Sequence, residues 1–267
     1  VSAVWGTYRR CWINTKRAYP WTYFAATVLQ GAITITLAYA MYHGVAGGRV
    51  SDDFVARSRT KDYVGYVAVG AIAMAFTMRM LLWTAKALIN EERAGTAISV
   101  FVSPARRLPY FVGYALFAFT STLVEVGALC GLAGLLGVEM PPLDPLGAVT
   151  ALVLFTLAVS GLSLVVNAVM LVAGEAHITQ NTCLLLVGLL CGFTFPRSYL
   201  PTAAQWLSEI FPLTSAVDIL RQVLAGTFTV ASSGVQVVLC LAVSGAYLVA
   251  GFRLLPHAER CVIERSF

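Results

Sequence analysis

Two ionisable side chains stand inside long apolar runs of this 267-residue chain: Arg79 interrupts the run that begins at Tyr63, and Glu125 interrupts the one that begins at Leu108. At mid-membrane such a charge costs at least about 2.5 to 3.5 kcal/mol, so each must face protein or water. Opposite signs on consecutive segments allow two chemistries. The pair can line a polar path, or it can form an ion pair that locks two helices together. Asn167 and Gln30, also in apolar runs, read as hydrogen-bonding groups between helices. No reactive centre is expected. His43, His177 and His257 lie in three separate regions, so no metal site is predicted. The six cysteines (Cys11, Cys130, Cys183, Cys191, Cys240, Cys261) lack CxxC spacing and read as buried free thiols. A catalytic set of paired carboxylates, or of Ser with His, is missing from the apolar runs. A P-loop needs Gly-Lys-Ser/Thr, but Lys16, Lys61 and Lys86 are followed by Arg, Asp and Ala, so this chain does not itself hydrolyse ATP.

The elements that position these residues are set by where charge is absent. Residues 18–48, 63–78, 108–124, 145–174, 176–196 and 222–252 contain no Asp, Glu, Lys or Arg. A bilayer core takes roughly 20 mostly apolar residues per helix, and helices satisfy their own backbone groups where water is absent. The pattern predicts an all-α integral membrane protein with six transmembrane helices, at about 20–43, 62–90, 109–136, 146–173, 178–195 and 233–253. A soluble helical protein is excluded, because a composition 58% hydrophobic and 12% charged leaves too few residues for polar helix faces. Six spans nearly exhaust the chain, giving one transmembrane domain over 1–267 with no sizeable soluble part. The first apolar run is too long for a secretory signal and is expected to stay attached.

Basic residues orient the spans. With the N-terminus inside, eleven lie on inner segments (Arg9, Arg10, Lys16, Arg17, Lys86, Arg93, Arg106, Arg107, Arg253, Arg260, Arg265) and six on outer ones (Arg49, Arg57, Arg59, Lys61, Arg197, Arg221). That bias predicts both termini in the cytoplasm. The net charge of +5 therefore reads as topology, and no nucleic-acid partner is expected.

Four segments outside the spans carry information. In residues 1–17, Val4, Trp5, Tyr8, Cys11 and Trp12 recur at helical spacing, which predicts an interfacial amphipathic helix; the other reading is an aromatic tail. Residues 44–61, with three glycines and mixed charges, read as an exposed outer loop. Residues 91–107 place Glu91, Glu92 and Arg93 before, and Arg106 and Arg107 after, an apolar run too short to span. A short helix pressed on the membrane or a partner, ended by Ser103-Pro104, would bury that run. After the fifth span, Pro196, Pro201 and Pro212 break a segment that stays apolar. Two short helices dipping into the outer leaflet fit it, as does an ordinary amphipathic outer loop.

These features resemble the type-2 ABC exporter permeases, membrane subunits that work with separate ATP-hydrolysing subunits. DYVGYVAVG at 62–70 is similar to the family's Tyr-and-Gly opening of the second span. Glu92-Arg93, Gly95-Thr96 and Ser103-Pro104 resemble its cytoplasmic loop. Phe195-Pro196, Leu200-Pro201, Trp206, Pro212-Leu213-Thr214 and Arg221 are similar to its broken outer helices. The resemblance implies a coupling helix at 91–107, outer gate helices at 198–228 and two permease subunits, identical or homologous, side by side. It also implies ATP and Mg on the partner ATPase, no cofactor on this chain, and a bacterial plasma membrane. Glu91, Glu92, Arg93, Arg106 and Arg107 would then set the loop's polar contacts with the ATPase, and Ile98 and Phe101 its anchors, with alternating access opening a path outward. Short loops favour a small amphiphile, drug-like natural product or lipid as multidrug-type cargo. Polysaccharide or lipid-linked glycan export is the alternative, and a secondary transporter, a membrane-embedded enzyme or a pore-forming or regulatory membrane protein remain the other classes.

Overall fold

Apolar residues become helices here and proline and capping residues end them. The structure is a computed structural model and describes residues 2–18, 22–58, 60, 62–93, 95, 107–137 and 145–265, in which helices are joined by turns and short irregular stretches. The helices are α1 (Ser2–Ala18), α2 (Thr22–Ala40, prolonged by a π turn, Met41–Val45), α3 (Asp52–Ser58), α4 (Tyr63–Ala85) and α5 (Ala87–Arg93). They continue with α6 (Arg107–Leu135), α7 (Pro145–Ala173), α8 (Ala176–Leu190), a 3-10 turn (Arg197–Tyr199), α9 (Thr202–Ser208), α10 (Pro212–Leu224) and α11 (Val230–Arg265). Asp62 starts α4: its Oδ1 accepts the Gly65 N–H at 2.8 Å, and a side chain at position 65 would collide with that carboxylate. Pro145 and Pro212 open α7 and α10, where a missing N–H costs nothing.

Among the described residues, four helices are long and apolar enough to cross a membrane: Tyr63–Ala85, Leu108–Leu135, Pro145–Ala173 and Ser233–Glu264. The apolar α2, at 19 residues, is about 28 Å long, and α8, at 15, about 22 Å. Neither the predicted fifth span nor the predicted tail keeps its expected extent. α8 stops at Leu190, and α11 runs through Arg253 and Pro256 to Arg265. Leu255, Ala258 and Val262 are buried in the core, and this packing holds the helix across Pro256.

α4 is the central helix, touching α2, α6 and α7, while α7 also carries α8, α10 and α11. Phe76, Phe155 and Phe193 pack edge to face through the core, with centroids 5.4 and 6.5 Å apart. α7 and α11 approach through glycine. A Cβ on Gly161 would meet the Ser244 carbonyl at 2.9 Å, and one on Gly251 would lie 2.6 Å from the Leu164 Cβ, so small residues set the distance as they do between membrane helices. Outward faces stay apolar, with Leu29, Ile33 and Leu37 on α2 and Val235 and Val238 on α11 all more than half exposed, a surface suited to lipid.

Candidate functional site

Arg79 and Glu125 meet. Arg79 Nε donates to Glu125 Oε2 at 2.9 Å, Nη2 donates to Oε1, and both side chains are 1% exposed. The same face of α4 carries Phe76 and Trp83, which stand edge-on to Phe119 and Phe117 of α6 at 6.3 and 4.8 Å. A bidentate pair set between aromatic contacts ties α4 to α6, and within this chain neither charge lines an open path.

Toward one end of the bundle, α4 breaks at Lys86, where a single span to Asn90 was expected. Asn167 of α7 holds that break: its Nδ2 donates to the Ala85 carbonyl at 2.5 Å. α5 resumes at Ala87 and carries Glu91 inward. Glu91 is 1% exposed and accepts from Arg10 Nη2 of α1 at 2.7 Å and from the Tyr110 hydroxyl of α6 at 3.1 Å; that hydroxyl also reaches the Ala87 carbonyl. Glu91 was expected among the loop's contacts with a partner. The structure commits its carboxylate to this chain instead, because three helices converge on it and leave no surface.

α1 is thereby docked. Tyr8 and Trp12 stand edge-on to Phe117, and Gly113 lets α1 close in, since a Cβ there would sit 2.7 Å from Thr7 and 2.8 Å from the Val4 carbonyl. Trp5 and Trp12 keep exposed edges, as an interfacial helix requires. Glu91 raises the Arg10 pKa above its usual value, and burial pushes the Cys11 thiol up to about 11. Glu92 and Arg93 close α5, Gly95 follows with φ 70°, a conformation glycine adopts without strain, and Arg107 opens α6. Thr96, Ile98, Phe101, Ser103, Pro104 and Arg106 lie outside the described residues.

At the other end, each proline forces its predecessor out of helix: Leu200 before Pro201 and Phe211 before Pro212 are both extended. Pro196 precedes the 3-10 turn, α9 follows Pro201, and α10 begins at Pro212. Thr214 joins them, its Oγ1 donating to the Ser208 carbonyl at 2.5 Å, while Trp206 of α9 stands 74% exposed. Arg221 of α10 donates to the carbonyls of Gly192 and Phe193 at 2.7 and 2.9 Å and lies 3.5 Å over the ring of Tyr66.

Gly70 is where α4 admits this segment, because a Cβ there would fall 1.6 Å from the Phe193 carbonyl oxygen. Gly70 is seven residues into α4, about 10 Å below its start. α8, about 22 Å long, thus ends near the level at which α4 admits the Phe193 carbonyl.

Sequence reasoning missed Arg197, counted only as an outer charge. It binds Glu209 at 2.7 Å and also Asp218, fastening the 3-10 turn to α9 and α10. Tyr66 and Gly70 were visible as a motif and not as a site. Arg10 and Tyr110 had no signal at all, since their partner is more than 15 residues away in each case.

A model of the ABC-2 type transporter family matches residues 2–225, a stretch that contains the buried pair, both ends of the bundle and every residue joined across them above. The chain belongs to the ABC-2 type transporter family. The permease is also 26% identical over 167 residues to the probable multidrug ABC transporter permease YbhR of Escherichia coli K12, and equally to the protein of that name from Escherichia coli O157:H7. The match covers 61% of this chain and 44% of each relative, so it spans less than half the length of those proteins. Family and apolar helices together place this permease in a membrane. Among the described residues no group of His, Cys, Asp and Glu is arranged to hold a metal ion.

Proposed function

We propose that this permease is the membrane subunit of an ATP-driven exporter, coupled through residues 91–107 to a separate ATPase that holds ATP and Mg. It would work beside a second permease subunit in a bacterial plasma membrane. Its cargo is a small amphiphile, drug-like natural product or lipid. In this reading α2 and α8 complete six membrane crossings with the four long helices, and the bias of basic residues favours both termini in the cytoplasm, with α1 and α5 at the inner face and the α9–α10 segment outside.

The observation that carries this reading is the junction at Glu91. Glu91, at the start of the loop, is bonded to α1 and α6, and Asn167 braces the α4 break behind it, so a push on the loop is delivered to several helices as one body. Cargo class follows the apolar outward faces and the name of the multidrug permease it resembles.

The test is purification of the tagged permease in mild detergent, with ATPase activity assayed on whatever nucleotide-binding subunit accompanies it, for wild type and a Glu92→Ala, Arg93→Ala double variant. Co-purification lost in the variant supports both exporter and coupling loop. An intact permease with no ATPase under any gentle condition overturns the reading.

A further inference from the structure

The segment between α2 and α4, expected only as an exposed loop, holds a helix that bridges α4 and the segment that follows α8. α3 has a root and a tip. At the root, Phe54 is buried and packs edge-on to Tyr63 and Tyr66 of α4, at 5.5 and 5.4 Å. At the tip, Arg57 Nη1 donates to the Ser198 carbonyl at 2.6 Å, its guanidinium lies 4.8 Å over the ring of Tyr199, and its Nε donates to Asp53 at 2.8 Å. Root and tip therefore rest on different bodies, one on α4 and the other on the 3-10 turn that Arg197 fastens to α9 and α10.

The two attachments differ in kind. The root is an aromatic cluster shared with Tyr66, which also carries Arg221. The tip is a solvent-facing arginine, 39% exposed, whose contacts are screened by salt and individually weak. A strong fixed end and a weak releasable one are what a latch requires.

We propose that Arg57 is a positioning residue for opening of this end: it holds the 3-10 turn against α4, and its release is a step in parting the α9–α10 segment from α4. The outward direction of that opening rests on the exporter reading; the latch itself does not. Beneath the segment lies a native reporter. Cys191 is fully buried, 3.5 Å from the Thr214 hydroxyl, so it meets solvent only when the segment lifts.

The experiment measures the labelling rate of Cys191 by a membrane-impermeant maleimide, on the full chain in lipid nanodiscs without any ATPase. Peptide mass spectrometry separates Cys191 from the other cysteines. Arg57→Ala is expected to speed Cys191 labelling roughly fivefold, equivalent to about 1 kcal/mol at 1.4 kcal/mol per factor of ten. Molar salt is expected to speed wild type in the same direction and to leave the variant unchanged. Arg57→Lys, which keeps the charge but loses the planar fork, should fall between. Arg49→Ala, an exposed neighbour in the same segment, should match wild type. Cys11, buried at the opposite end, is the folding control. Wild-type rates in Arg57→Ala, an equal rise in Arg49→Ala, or a parallel rise at Cys11 would each overturn the latch. Because no ATPase is present, none of these outcomes depends on the co-purification test.

Discussion

Glu125→Gln removes the negative charge that accepts from Arg79 Nε and Nη2 inside the bundle. With both side chains 1% exposed, water does not reach the site to compensate. Breaking such a pair by deleting one partner costs about 3 to 5 kcal/mol, whereas replacing both with apolar groups of similar volume is close to neutral. Arg79→Met alone, which strands the carboxylate, should cost the same range. The two single losses therefore sum to at least about 6 kcal/mol, while the Arg79→Met, Glu125→Leu double variant should stay within about 1 kcal/mol of wild type.

The assay is reversible unfolding of the purified permease in mixed micelles by stepwise addition of SDS, followed by tryptophan emission. Trp83, edge-on to Phe117 one turn from Arg79, is a local probe. In a reconstituted complex the double variant should keep transporting. A double variant as unstable as the two singles combined would refute the reasoning, as would singles that cost less than about 1 kcal/mol. Either result would mean that water or a translocation path neutralises these charges.

Gly70→Ala should be among the most damaging single-methyl changes, because the new Cβ would overlap the Phe193 carbonyl oxygen and force the α9–α10 segment off α4; a loss of about 1 to 3 kcal/mol or more is expected in the same unfolding assay. Asn167→Ala removes the donor to the Ala85 carbonyl at the α4 break and should cost about 1 to 3 kcal/mol, with faster amide hydrogen exchange confined to residues 85–93; uniform exchange across α4 would contradict the assigned role. Docking of α1 should weaken at alkaline pH. The buried Cys11 thiol has its pKa raised from 9.0 to about 11, so its contribution is complete below pH 9 and is lost as pH rises through about 11. Arg10, raised above its already high usual value by Glu91, adds no slope in that window. Hydrogen exchange of α1 at pH 7, 9 and 11 checks this, and Cys11→Ala should reduce the response.

Much of the permease was legible because a membrane leaves the chain so few options. Charge-free runs gave the apolar helices, prolines gave the breaks after α8, and aromatic residues at helical spacing gave α1. Opposite charges on consecutive segments also made an Arg79–Glu125 ion pair one of two readings, a polar path being the other. Each of these follows from a local rule about solvation or backbone geometry, so the neighbouring residues suffice to state it.

What escaped depends on depth, closeness or a distant partner. Only the tertiary structure showed that Lys86 interrupts α4, since the residues around it are as helix-compatible as those on either side and the break is held by Asn167 about 80 positions away. It alone turned Glu91 inward to Arg10 and Tyr110, stopped α8 where Gly70 admits the Phe193 carbonyl, and set Arg57 on Ser198, 141 residues downstream. The sequence by itself determined what must be buried in lipid and where helices must break, because transfer from water is paid residue by residue. Which buried groups meet was decided by packing, because the approach of two helices depends on glycines and long polar side chains on both, and neither helix records its partner.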